Sequence, residues 1–148
     1  MPLVLATVGC APIVTVQPAK DAINPLCASV IVSLRNLDTI ADLPARETDA
    51  QGTAAWGSPA AVILHCGVPV PAPTATLPCV TVDGVDWLRD DSGSPNYVFT
   101  TYGRDPAVEV VVNDEEASAL SALTDLANAI VQIPATGKCL APEVAETG

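Results

Sequence analysis

The most regular feature of the chain is the alternation of apolar and polar residues between positions 60 and 112. Its clearest stretch is Val80-Thr81-Val82-Asp83-Gly84-Val85-Asp86-Trp87. Asp83-Gly84 supplies the two positive-φ positions of a type I′ turn, so this stretch reads as a two-residue hairpin. In that register Val82 faces Val85 and Val80 faces Trp87, which puts all four on one side of the sheet. Thr81 and Asp86 fall on the other. Val62, Leu64 and Cys66 repeat the alternation, and so do Val108, Val110 and Val112. Residues 96–102 set Tyr97, Phe99 and Thr101 against Val98, Thr100 and Tyr102. The pattern predicts an antiparallel meander with one dry face and one wet face. A further short strand is expected at Ile13-Val14-Thr15-Val16, stopped by Pro18.

Two segments carry the helical period instead. Asn24 is a good N-cap, and Pro25 suits the first helical position, where a missing N–H costs nothing. Leu26, Val30, Leu34 and Leu37 follow at helical spacing with Cys27 and Ile31 alongside, and Asp42-Leu43-Pro44 closes the run. Near the other end Asn113 and Glu116 form a capping-box pattern ahead of Leu120, Leu123, Leu126, Ile130 and Ile133, with Pro134 as the stop. Between the first helix and the sheet, residues 45–59 are small, polar and aperiodic, and read as a loop. Trp56 is its one large residue, and the expected role is to pin that loop onto the core. The fold class that follows is α+β: an antiparallel sheet of about five strands with two helices packed on one face.

Length and composition sharpen this only slightly. A chain of 148 residues with 49 % apolar content fits one domain with one core. Six basic against seventeen acidic residues give a net charge of −11. Nucleic-acid binding needs clustered Lys and Arg, so it is excluded as a partner class. Attachment to anionic lipid through charge alone is disfavoured for the same reason.

The five cysteines say more. None forms a Cys-x-x-Cys pair, so neither zinc nor a thioredoxin-type redox pair has local support. Cys27, Cys66, Cys79 and Cys139 are expected to form two disulfides in an oxidising compartment. Cys27 with Cys66 would staple helix to sheet, and Cys79 with Cys139 would tie the tail down. Four cysteines nevertheless allow three pairings, and the sequence does not choose. The fifth, Cys10, follows the apolar run Leu3 to Val8 and the small residue Gly9, like the second half of a bacterial lipoprotein signal. Thr7 stands where an aliphatic residue is usual, and no basic segment precedes the run. The expected organisation is a partial lipoprotein signal at 1–10 ending at the lipidated Cys10, a single α+β domain at 11–140, and a flexible tail at 141–148.

No catalytic constellation emerges. The single histidine, His65, neighbours Cys66 in a strand, so the two side chains point to opposite faces and cannot form a dyad. Asp83, Asp86, Asp90 and Asp91 cluster in sequence, but a calcium loop's central glycine and terminal glutamate are missing. Phosphate loops, the Gly-x-Ser-x-Gly elbow and His-Glu-x-x-His are also missing, so neither cofactor nor metal is expected.

Three stretches in order carry a resemblance: Ala54-Ala55-Trp56-Gly57-Ser58-Pro59, then Val62-Ile63-Leu64-His65-Cys66-Gly67-Val68-Pro69, then Val82-Asp83-Gly84-Val85-Asp86-Trp87. With Phe99-Thr100-Thr101-Tyr102-Gly103-Arg104 and Val108-Glu109-Val110, they resemble an uncharacterised actinobacterial family, domain of unknown function 3515. The resemblance runs from about Cys10 to Ile133. It implies an exported protein, in many members a lipoprotein, and it implies no activity. The resulting expectation is a non-enzymatic, lipid-anchored module on the outer face of the plasma membrane. It would be held to the membrane by its anchor and would bind an envelope protein or a cell-wall component. Trp56, Asp86, Asp90 and Asp91, with the Pro69-Val70-Pro71-Ala72-Pro73 ridge, form the expected contact surface. The alternatives are an envelope hydrolase using such carboxylates and a stabilising subunit of a membrane complex.

Overall fold

The computed structural model describes residues 12–73, 76–140 and 143–144. The 1–9 apolar run and Cys10 lie outside the described residues. Helix α1 (Pro25–Leu34) begins as its sequence dictates, with the Asn24 side chain accepting from the Leu26 N–H and Pro25 in the first turn. It ends a turn earlier than its apolar spacing suggests. Leu37 lies beyond it, and the chain turns back through strands β1 (Thr39–Ile40) and β2 (Leu43–Arg46). Ala41 and Asp42 hold positive φ between them, and the Asp125 carboxylate accepts from the Ala41 N–H at 2.8 Å. β3 (Thr53–Trp56) follows, then β4 (Val62–Val68), β5 (Cys79–Val82), β6 (Val85–Asp90), β7 (Asn96–Thr101) and β8 (Ala107–Asn113). Helix α2 (Ala119–Ile130) and a short β9 (Glu143–Val144) complete the chain.

The sheet is larger than the five strands with two helices on one face expected from the pattern. Eight strands run antiparallel in the order β1-β2-β3-β4-β8-β7-β6-β5, and β9 adds in parallel to β5. Nor is it a simple meander. β4 pairs with β8, so the proline-rich connection after β4 carries the chain to the far side of β5–β8. The strands β1 to β3 were hidden because a run such as Thr53-Ala54-Ala55-Trp56 has little strand propensity of its own. Pairing with β4 makes it a strand. The strand expected at 13–16 reduces to a single bridge between Val14 and Thr48. Within the 141–148 tail, β9 is ordered beside β5, and the other residues of that stretch lie outside the described residues.

The β5–β6 hairpin has the expected register, with Val82 opposite Val85, Val80 opposite Trp87, and Asp83 and Gly84 at φ 48° and 82°. Following the pairs across the sheet, Cys66, Val108, Val110, Phe99, Trp87 and Val80 share one face. That face holds the core. Cys27 of α1 is bonded to Cys66, and Leu123, Leu126 and Ile130 of α2 are fully buried in the same cluster. Helix α2 is capped by Ser118 rather than Asn113, which ends β8 and closes a turn through Glu116 and Ala117. Leu120 is therefore exposed, and Ala122, Ala127 and Ala129 take the buried positions.

The opposite face is not simply wet. Residues 135–140 cross it beside β5 and β6, with Cys139 bonded to Cys79 and Leu88 only 5 % exposed. The two disulfides consequently grip opposite faces, since Cys79 pairs with Leu88 and alternates with Val80.

Candidate functional site

A surface groove of about 450 Å³ opens between the second half of α1 and β2–β3. Ile31, Leu34 and Arg35 form its helix wall, and Arg46, Thr48 and Trp56 lie on the strand side. Arg46 sits opposite Ala55 at the end of β2. Its guanidinium donates to the Gly57 carbonyl and to the Pro12 carbonyl, each at 2.6 Å. One side chain thus ties the start of the described chain to the β3–β4 turn. The strap continues through Val14 N–H to the Glu47 carbonyl at 2.8 Å and Val16 N–H to the Asp49 carboxylate at 2.9 Å. Thr48 and Thr53 hydroxyls lie 2.7 Å apart, and Thr53 also donates to the Ala50 carbonyl. The donors that line the groove are thus engaged within the protein, and Glu47 adds a negative charge to its strand side, so the groove is chiefly the seat of the N-terminal strap beside an aliphatic wall.

The structure distributes the residues expected at a contact surface instead of gathering them. Trp56 is 2 % exposed and part of the core, which removes it from any stacking surface. Its indole N–H is buried with no acceptor among the described residues. Asp86 is committed to structure. One carboxylate oxygen accepts from the Thr81 hydroxyl at 2.6 Å and the other from the Cys139 N–H at 2.9 Å. Asp90 lies four residues further along the same strand face, about 13 Å away at strand rise. Glycosidase carboxylate pairs stand roughly 5–10 Å apart, so these two are not such a pair. Asp90 closes a turn by accepting from the Ser92 N–H at 3.0 Å. The Ser92 hydroxyl first, and its N–H second, hold the Asp90 carboxyl below its ordinary value of 3.8. Asp91 is exposed in the adjoining turn, and Pro69 and Val70 are exposed at the start of the ridge.

His65 pairs across β4–β8 with Glu109, its Nδ1 lying 3.7 Å from the carboxylate, and Cys66 points to the other face as expected. Cys27 is bonded to Cys66 and Cys79 to Cys139, with Cα separations of 5.6 and 6.2 Å.

Two arginines that tie remote segments together carry no sequence signal. Arg46 lay in the apparent loop, and its partners are set only by tertiary contacts. Arg104 is 7 % exposed, and its guanidinium donates to the Ile133 carbonyl. Burial lowers its pKa, while the charge of Asp86 pulls it back up. A single arginine in a turn carries no pattern that announces burial. Among the described residues no group of three or more His, Cys, Asp or Glu could hold a metal ion, and no helix is long and apolar enough to cross a membrane.

Residues 6–137 match the profile of a family described as Protein of unknown function (DUF3515). The chain belongs to that family. No curated protein and no solved structure matches it.

Proposed function

We propose that this DUF3515 member is a lipid-anchored module on the outer face of the plasma membrane that works by binding rather than catalysis. The observation that carries this is the pair of disulfides, one on each face of the sheet. Such bonds form and persist in oxidising compartments outside the cytoplasm. Four of the five cysteines are consumed in them, and the fifth is Cys10, placed directly after Gly9 at the end of an apolar run. The exposed turn around Asp91 and the exposed start of the Pro69-Val70 ridge are the surfaces we assign to a partner. Catalysis by the acidic residues is the weaker reading, because both oxygens of Asp86 are already hydrogen-bonded.

Intact-mass measurement of the protein purified from its own membranes tests this. The expected species starts at a diacylated Cys10 and is lighter by the four hydrogens lost in two disulfides. A chain that keeps an unmodified Met1 and five free thiols would overturn the reading.

A further inference from the structure

We infer that the face around the N-terminal strap and α1 rests on the bilayer surface, seated there by exposed aliphatic side chains. The inference builds on the anchored reading above. Pro12 is held to the body by Arg46, and only Ala11 separates it from Cys10. Two residues of chain span at most about 7 Å. The head-group layer on each side of a bilayer is roughly 5–8 Å deep. An acyl chain on Cys10 therefore leaves no room for a spacer, and the protein surface around Pro12 must meet the head groups.

That surface is aliphatic where it is most exposed. Ile13 is 56 % exposed, Ile23 77 % and Val32 57 %. Ile23 borders a hollow that also involves Ala22 and Gln51, and Val32 borders the next, which shares those two residues. Ile23 and Val32 thus belong to one continuous stretch of surface. Lys20 and Arg35 stand at its edges, but Asp21, Glu47 and Asp49 are exposed on the same side. The patch is therefore not cationic, and its attachment comes from apolar burial at the interface, not from lipid charge. Of the other exposed aliphatics, Val70 borders a hollow with Lys20 and Asp21, Leu120 borders a separate hollow between α2 and β5–β7, Val131 caps the end of α2, and Leu140 lies near the tail.

The test uses the native lipidated protein in vesicles of phosphatidylglycerol and phosphatidylethanolamine carrying a trace of diazirine phospholipid. After photolysis, cross-links mapped by mass spectrometry are expected in residues 12–35. Ile23→Asp with Val32→Asp, both at exposed positions, should cut that yield at least about threefold, because apolar burial drives interfacial seating. Leu120→Asp should leave it unchanged. Cross-links concentrated on α2 or on β5–β6, or none at all, with Cys10 still acylated by intact mass, would overturn the seating and leave the anchor standing. An unacylated Cys10 overturns both.

Discussion

The carboxylate of Asp86 accepts a hydrogen bond from the backbone N–H of Cys139 at 2.9 Å, bridging 53 residues of chain beside the Cys79–Cys139 disulfide. Its other oxygen takes the Thr81 hydroxyl, and its charge faces the buried Arg104. One side chain therefore locks the C-terminal segment to the hairpin.

Replacing Asp86 should loosen that segment without touching the core. Hydrogen bonds to a charged group contribute about 1.5–3 kcal/mol each, so Asp86→Ala should cost roughly 2–4 kcal/mol in urea unfolding. Asp86→Asn should cost less, because its amide oxygen still accepts one bond. Hydrogen exchange at residues 136–140 should speed up in both. Unchanged exchange there would show that the disulfide alone holds the segment.

Two glycines with similar backbone angles should respond differently to alanine. Gly103 and Gly84 have φ of 75° and 82°. A Cβ at Gly84 meets nothing within 4 Å, whereas at Gly103 it runs into the backbone of Gly137. Gly84→Ala should cost about 1–2 kcal/mol for the left-handed conformation alone. Gly103→Ala should cost clearly more and displace Thr136 and Gly137, whose N–H groups donate to the Gly103 carbonyl. Equal losses in thermal unfolding would refute the close apposition of the two glycines.

The disulfides should open in order. Cys27 and Cys66 are both fully buried, while Cys79 is half-buried and Cys139 is 8 % exposed. Limited reductant followed by alkylation and peptide mapping should label Cys79 and Cys139 first. The closed loops, with separations of 39 and 60 residues, are each worth about 4 kcal/mol by the chain-entropy relation. Removing either pair by serine substitution should therefore lower the unfolding midpoint by comparable amounts.

Acid titration should single out Asp90. Its folded pKa lies below 3.8, so its contribution to stability is present above that value and is lost as pH falls through the lowered folded value. Ser92→Ala removes the larger of the two causes, and the carboxyl midpoint read by NMR should rise toward 3.8. A midpoint that does not move would mean the Ser92 hydroxyl plays no part.

Much of this architecture was legible locally. Asp83-Gly84 dictated a turn, and the turn fixed the register of Val80, Val82, Val85 and Trp87 without reference to the rest of the chain. Asn24-Pro25 set the start of α1 in the same way, and the cysteine count pointed to two bridges and one residue over. Tertiary structure decided the rest. Thr53 to Trp56 became a strand because β4 lay beside it, and Ala41 holds a positive φ with Asp125 of α2 accepting from its N–H. Which cysteines met, where Arg46 and Arg104 reached, and how residues 135–140 covered the second face depended on groups distant in the chain. Periodicity and turn chemistry act over a few residues and are written in order along the sequence. Contacts between remote segments are settled only when the whole core packs, and there the pattern of any one segment falls silent.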